Sequence, residues 1–151
     1  MLKIENSIQE IASASYQDLT VELISANAPV ILRGLVNDWP LVQQAKHSNQ
    51  AAREYLQQDY NQNKIRAFKA DAKHQGRYFY NDELNGFNFT PSTTTFDSVL
   101  QDLAEYESLA EPPGLYMGST AVQHILPNFT AHNDLPLAVN NPLISLWVGN
   151  Q

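Results

Sequence analysis

The chain contains no cysteine, and this decides how its 151 residues can be held together. Disulfide frameworks, cysteine-ligated zinc, iron–sulfur clusters and thiol nucleophiles are all excluded. Stability must therefore come from a hydrophobic core, and a domain of this length buries about 68–70% of its unfolded surface. Because 43% of the residues are hydrophobic and 10% are aromatic, the composition can supply such a core. We expect one folded domain, or a fragment of one, across residues 1–151 rather than a disordered segment.

Nothing in the sequence predicts a membrane span or a secretion signal. No apolar run reaches the roughly 18–20 residues that a spanning helix needs. The opening residues, MLKIE, do not resemble a signal peptide. We therefore expect a soluble, cytoplasmic protein.

Charge is distributed unevenly along the chain. All nine Lys and Arg residues lie at or before Arg77, whereas residues 78–151 contain eight Asp or Glu and no basic residue. An acidic surface repels phosphate backbones, so nucleic acid is not an expected partner. A solvated acidic face explains the pattern, and the alternative is that a basic segment of another chain, or of a later part of this one, lies against it.

The first half of the chain predicts short helices and strands. Helical spacing of apolar residues predicts a helix within residues 16–26, with Ser15 as its N-cap. The β-branched residues 29–32 predict a buried strand. Ser48 is expected to cap another helix. Residues 64–70 predict a strand with two distinct sides: Ile65, Ala67 and Lys69 on one, Arg66 and Phe68 on the other.

The second half predicts the strongest helix of the chain and two more strands. Aromatic residues in 77–80 and 87–89 indicate a hairpin or paired loops, with Asn85-Gly86 as the turn. A strand is predicted at residues 115–118, and the apolar residues 143–148 predict another, of a kind that usually occupies a sheet interior. An amphipathic helix is indicated by apolar residues at helical spacing: Phe96, Val99, Leu100, Leu103 and Tyr106. The overall prediction is a mixed α+β fold.

His132-Asn133-Asp134 is the only His-x-Asp in the sequence. Non-haem iron oxygenases use such a pair as two of three metal ligands, and they need a second histidine. No histidine follows Asp134, so an earlier one would have to serve: His47, His74 or His124. Because residues 128–141 are rich in Asn, Pro and Asp, we interpret His132 and Asp134 as surface-loop residues. A metal centre built from His124, His132 and Asp134 is the alternative.

No other motif predicts a complete active site. The sequence contains no recognisable catalytic triad, phosphate-binding loop or pair of catalytic carboxylates. His124 is expected to be partly buried and bonded to backbone. One group of aromatic residues is expected to pack in the core and, alternatively, to line a ligand cleft: Tyr78, Phe79, Tyr80, Phe87 and Phe89.

Several segments together resemble the JmjC-type cupin-like proteins, in that family's order, from Ala28 to the C-terminus. The matching segments are APVILRGL (28–35), DWP (38–40), FYND (79–82), GFNF (86–89), LYMGS (115–119) and SLWVGN (145–150). The last of them is similar to the strand that leads into the family's iron-binding motif. The related proteins with known activity are asparaginyl and other protein hydroxylases of the JmjC group.

The resemblance implies N-terminal helices and strands that lead into the first part of a double-stranded β-helix, an incomplete barrel. It also implies hydroxylation that depends on Fe(II) and 2-oxoglutarate. In the family, the His-x-Asp pair follows the strand matching residues 143–149, and His132-x-Asp134 lies upstream of it. We therefore expect the N-terminal portion of such an enzyme, truncated before its metal motif. This chain alone should be inactive, with no metal ligand and no catalytic residue, and Fe(II) and 2-oxoglutarate are expected only for the full-length form.

The resemblance also implies roles for three residues. Tyr116 matches a tyrosine that hydrogen-bonds the distal carboxylate of 2-oxoglutarate in related hydroxylases. Trp147 matches a position that lines the cosubstrate. Met117 stands where relatives contact substrate. For Tyr116 and Trp147 the alternative reading is plain packing.

Half a barrel would leave strand edges unpaired, most clearly at residues 143–148. The expected partner is therefore the remainder of its own barrel or a second chain. A short, non-catalytic binding or dimerisation module, which would form a homodimer, is the alternative to the enzyme fragment.

Overall fold

The computed structural model describes residues 7–137 and 142–150, which contain six strands and six α-helices. The strands are β1 (Gln9–Ile11), β2 (Val30–Leu32), β3 (Lys64–Ala70), β4 (Phe89–Thr95), β5 (Gly114–Ala121) and β6 (Ser145–Gly149). The helices are α1 (Val21–Ser25), α2 (Pro40–His47), α3 (Asn49–Gln58), α4 (Phe96–Tyr106), α5 (Val122–Ile125) and α6 (Phe129–His132). The predicted mixture of helices and strands is confirmed.

An antiparallel sheet of four strands, in the order β4-β3-β5-β6, organises the fold. Helices cover one of its faces, and the core lies between that face and α3, α4, α5 and α6. Phe96, Leu115, Met117 and Ile125 are completely buried there. Over residues 7–137 and 142–150 the sheet keeps two edges, β4 and β6, and does not close into a barrel. No helix in these ranges is both long and apolar enough to cross a membrane.

Helix α4 forms as its spacing predicts. The Thr95 side chain accepts a hydrogen bond from the Ser98 amide at 3.2 Å and so caps the helix. Phe96, Val99 and Leu100 are at most 2% exposed. The strand at residues 64–70 is also confirmed with its two sides, since Ile65 and Ala67 enter the core while Arg66 and Phe68 do not.

The N-terminal predictions are only partly correct. The helix expected within residues 16–26 is broken, because Thr20 accepts a hydrogen bond from the Leu23 amide and starts α1 anew. Only one 3₁₀ turn, Tyr16–Asp18, precedes it, with Ser15 at its N-cap. The predicted buried strand is β2, which is half-buried because it pairs in parallel with β1 in a separate two-stranded sheet. Strand β1 has no counterpart in the predictions.

The aromatic hairpin forms, but its turn differs from the prediction. Tyr80 and Phe87 make an isolated antiparallel bridge. The turn between them is stabilised by Asn81, whose side-chain oxygen accepts from the amides of Asn85 and Gly86 at 3.1 and 3.2 Å. A left-handed backbone falls at Leu84, with φ 57°, rather than at Asn85-Gly86. The side chain of Asn81 therefore replaces the tight two-residue turn.

The last strand lies at a different place from the one its composition predicts. Strand β6 begins at Ser145, leaves Leu143 86% exposed, and occupies a sheet edge. The interior position was wrong for the described residues, where β5 is its only neighbour. Asn150 anchors its end, because the Asn150 side chain accepts from the Leu115 amide at 2.8 Å and donates to the Pro113 carbonyl at 2.9 Å.

Asn133 is a buried polar residue, at 2% exposure, and it connects three helices. Its side-chain oxygen accepts from the Leu41 amide of α2 at 3.1 Å. Its amide nitrogen donates to the Tyr55 hydroxyl of α3 at 2.9 Å and to the Phe129 carbonyl of α6 at 3.1 Å. The middle residue of His132-Asn133-Asp134 therefore has a structural role.

We predict that Asn133→Ala lowers the free energy of unfolding by about 2 kcal/mol, because the part-buried Leu41 amide and Tyr55 hydroxyl lose their partner. His132→Ala and Asp134→Ala are the matched controls. Both residues are exposed, so each should change stability by less than about 0.5 kcal/mol. Urea unfolding followed by circular dichroism measures all three. Equal losses in the three variants would contradict the structural role of Asn133.

Candidate functional site

The alternation of side chains along β5 gives the sheet two different faces. Leu115 and Met117 point into the core and are completely buried. Tyr116 and Gly118, between and after them, lie on the opposite face, which no helix of the described residues covers. Five rings lie on that side, and we call them the aromatic face: Phe68, Tyr78, Phe89, Tyr116 and Trp147.

Tyr116 is at the centre of the aromatic face. Its ring centroid lies 5.5 Å from Phe68, 5.6 Å from Tyr78 and 5.7 Å from Trp147. The Phe68 and Tyr116 rings are stacked at 27°, and Trp147 is inclined to Tyr116 by 31°. Three rings from three adjacent strands are therefore in contact, and aromatic pairs at these distances are favourable.

Two glycines leave room for these rings. A Cβ at Gly118 would stand 3.2 Å from the Phe68 ring and 3.6 Å from the Tyr116 hydroxyl. A Cβ at Gly114 would stand 2.9 Å from the Tyr78 hydroxyl. Because contacts below about 3 Å force neighbours to move, Gly114 is needed for Tyr78 to lie against the sheet. The rings are consequently packed directly on the backbone of β5.

Tyr78 carries a buried hydroxyl that has no hydrogen-bonding partner among the described residues. Burial disfavours the phenolate, and the neighbouring Tyr116 adds to this. Together they raise the pKa of Tyr78 to about 12. The aromatic face thus keeps this phenol neutral at all physiological pH values.

Trp147 leaves the aromatic face open to solvent, because it is 59% exposed at the edge strand β6. The aromatic surface continues on the other side through Phe87, whose centroid lies 4.9 Å from Phe89, and on to Tyr80 at 5.4 Å from Phe87. Phe79, Tyr80 and Phe87 are each more than half exposed. Such a contiguous aromatic surface is typical of a binding site.

The structure brings together two of the three residues singled out in the sequence. Tyr116 and Trp147 lie side by side on the aromatic face, where flat rings and one phenol hydroxyl can hold a small planar or carboxylate-bearing ligand. The side chain of Met117 lies on the opposite face, fully buried against the helices. The predicted substrate contact of Met117 stays a prediction, and packing is the role that its position supports.

The structure does not assemble a metal site within the ranges 7–137 and 142–150. No group of three or more His, Cys, Asp or Glu residues in them is placed to hold a metal ion. His124 is exposed, and its Nε2 bonds to the Lys64 carbonyl at 3.0 Å. At Asp134 the backbone carbonyl, not the carboxylate, takes part in a hydrogen bond: it accepts from Trp39 Nε1 at 2.8 Å. The alternative metal centre of His124, His132 and Asp134 is not formed.

Phe68 is the member of the aromatic face that the sequence analysis did not assign to a site. Its position on the side of β3 opposite Ile65 and Ala67 was predicted, so a signal was present. What was missing was the neighbour relation, because Phe68 meets Tyr116 only through the pairing of β3 with β5. The guanidinium of Arg66 stands 5.5 Å from the centre of the Phe68 ring and extends this face with a cation.

Comparison with known families agrees with this picture. The sequence matches the cupin-like domain family over residues 17–151. Because this match covers most of the chain, the chain belongs to the cupin-like domain family, and the predicted resemblance is confirmed at that level. No curated protein matches the sequence.

We predict that Tyr78→Phe stabilises the protein by about 1 kcal/mol near pH 7, because it removes a buried hydroxyl that lacks a partner. The folded state holds the Tyr78 proton to about pH 12, whereas an unfolded chain releases it near 10. Stability from this group is therefore complete below about pH 10 and declines as the pH rises toward 12. The advantage of the variant should grow across that window.

Tyr80→Phe is the matched control, because Tyr80 is 52% exposed and its hydroxyl can bond to water. It should change stability by less than about 0.5 kcal/mol at either pH. Urea unfolding at about pH 7 and about pH 11 compares the variants. A Tyr78→Phe protein that is less stable than the wild type would show that the hydroxyl has a partner in solution.

Proposed function

We propose that this cupin-like domain is the N-terminal portion of a JmjC-type, Fe(II)- and 2-oxoglutarate-dependent hydroxylase. In this proposal its four-stranded sheet is the first part of a double-stranded β-helix. The enzyme is proposed to be cytoplasmic. The observation that carries the proposal is the pairing of Tyr116 and Trp147. The family resemblance assigns these two residues to the cosubstrate, and their ring centroids lie 5.7 Å apart on the uncovered face of the sheet.

The aromatic face suits one end of 2-oxoglutarate. The Tyr116 phenol can donate one directed hydrogen bond to a carboxylate, and the half-buried ring keeps the donor in place. Phe68 and Trp147 flank it on two sides. A carboxylate also needs a cationic partner for strong binding. Strands β5 and β6 contain no basic residue, so that partner has to come from elsewhere, and Arg66 of β3, beside Phe68, is one cation on this face.

The described residues do not fit an iron site, since no ligand group is assembled among them. Iron would activate oxygen for the hydroxylation, and its ligands would have to be supplied by residues other than those described. The contribution proposed for this portion is to bind and orient the cosubstrate, and we expect no turnover from the 151-residue chain alone.

The test compares the 151-residue chain with the protein isolated at its natural length from its source. With Fe(II) and 2-oxoglutarate, the natural-length protein should release succinate and the 151-residue chain should release none. In the active form, Tyr116→Phe should raise KM for 2-oxoglutarate about tenfold with little change in kcat, because one hydrogen bond to a charged group is lost. Tyr106→Phe, on the helical side of the sheet, is the matched control and should leave KM unchanged. Fe(II)-dependent turnover by the short chain, or none by the natural-length protein, would contradict the proposal.

A non-catalytic dimerisation module is the second candidate. One observation favours it, namely that β6 is an edge strand whose outer side has no partner among the described residues. Exposed Trp147 on β6 and exposed Leu143 just before it are apolar groups that a second chain could cover. Unpaired edges of this kind pair readily with other strands.

Sedimentation velocity over a wide dilution range tests this candidate. If the module dimerises through β6, Trp147→Lys should abolish the dimer, because a charged side chain then stands at the interface. Phe79→Lys is the matched control, since Phe79 is 66% exposed and lies in the aromatic hairpin, outside the strands of the four-stranded sheet. It should leave the dimer intact. A wild-type monomer at every concentration would remove the dimer candidate.

A further inference from the structure

A concave region adjoins the aromatic face and differs from that face in charge. It is an open groove of about 770 Å³, beside the segment that leads from β3 into the aromatic hairpin. Three basic side chains line it: Lys73, His74 and Arg77. They come from a 3₁₀ turn, Ala72–His74, and from the residues directly after it. The groove shares Tyr78 with the aromatic face.

The cations of this groove are not neutralised within the described part of the chain. The ion pairs of the described residues join Arg33 to Glu10, Arg53 to Glu107 and Lys69 to Asp102. None of these pairs involves a residue that lines the groove. The protein as a whole carries a net charge of −7, and its carboxylates outnumber its cations. The groove is therefore a local positive site on an acidic protein, and it favours an anionic ligand.

Two carboxylates lie close to the groove and do not neutralise it. Asp71 accepts a hydrogen bond from the Lys73 backbone amide at 3.0 Å, which fixes the turn rather than the side chain. Glu111 lines an adjacent cavity together with Lys73. No ion pair joins either of them to Lys73 or Arg77.

Aromatic side chains form another part of the wall of the groove. Phe79 and Tyr80 line it next to Tyr78, and they are 66% and 52% exposed. Their rings meet edge to face, with centroids 5.3 Å apart. An occupant must therefore bring apolar or aromatic groups as well as negative charge.

Asn88 holds this wall in a fixed shape. Its side-chain oxygen accepts from the Phe79 amide at 2.8 Å, and its side-chain nitrogen donates to the Arg77 carbonyl at 2.9 Å. The Asn88 backbone amide donates to the Phe79 carbonyl at 2.9 Å. The backbone between the cations and the rings is thus organised before any ligand arrives, which lowers the entropy cost of binding.

We propose that this groove binds an acidic peptide segment of a partner protein. The groove is lined by basic and aromatic side chains that follow one another along residues 73–80. An extended peptide with carboxylates and an apolar side chain in alternation can contact both kinds of side chain at once. A small anion would contact only the basic ones. The proposal does not depend on the hydroxylase proposal, because the groove contains none of the residues assigned to the cosubstrate.

The experiment measures fluorescence anisotropy of a labelled peptide of about nine residues, about 30 Å when extended, with glutamates on both sides of a central phenylalanine. The full 151-residue chain should bind it. Raising the salt from about 50 to about 200 mM should weaken binding, because exposed charges are screened. The same peptide with glutamine in place of glutamate should bind about tenfold more weakly, or about 1.4 kcal/mol.

Variants locate the site. The double variant Lys73→Gln/Arg77→Gln should weaken peptide binding about tenfold or more, because two charge pairs are lost. Lys46→Gln, which removes an exposed cation of α2 outside the groove, is the matched control and should bind normally. Circular dichroism and thermal unfolding should be unchanged in both variants, because the altered side chains are exposed and form no ion pair.

Four outcomes would overturn the proposal. One is equal binding of the glutamate and glutamine peptides, and another is equal loss in the Lys46→Gln control. A third is complete displacement of the peptide by millimolar succinate or inorganic phosphate, which would make the groove a small-anion site. The fourth is self-association of the wild-type chain that the double variant abolishes, which would make a second copy the occupant.

Discussion

The fold depends on the packing of α4 against the sheet. Phe96 and Leu100 of α4 fill the space above Leu115 and Met117 of β5, and all four are at most 2% exposed. In a chain without cysteine, this apolar contact has to supply the stability that cross-links provide elsewhere. It also fixes which side of β5 faces the helices. The residues that alternate with Leu115 and Met117, such as Tyr116, consequently face the uncovered side.

That constraint links stability to the candidate site. A shift of β5 by one residue would exchange Met117 for Tyr116 and destroy the core. The burial of Leu115 and Met117 therefore also fixes which way the Tyr116 side chain points. The sheet then places rings from neighbouring strands beside Tyr116: Phe68 on one side and Trp147 on the other. A site that is built on strands in this way is held rigidly, and the exposed hairpin at its border is where a larger partner can make contact.

The segment His132-Asn133-Asp134 contains a metal-binding type of motif, but its structural role belongs to the middle residue. Its outer residues have the right types for a metal, yet they are exposed and not joined by a further ligand. The residue between them is buried and connects α2, α3 and α6. Burial and hydrogen-bonding partners are properties of the folded chain, and the spacing of His and Asp carries no information on them.

The sequence by itself determined those elements whose signal is local. The apolar period of residues 96–106, the two sides of β3 and the family-like segments around Tyr116 and Trp147 are each contained within a few neighbouring residues. The tertiary structure decided what depends on distant pairing: the edge position of β6, the small sheet of β1 and β2, the approach of Phe68 to Tyr116, and the neighbours of Asn133. Cross-strand and interhelical contacts join residues far apart in the chain, so no local pattern specifies them.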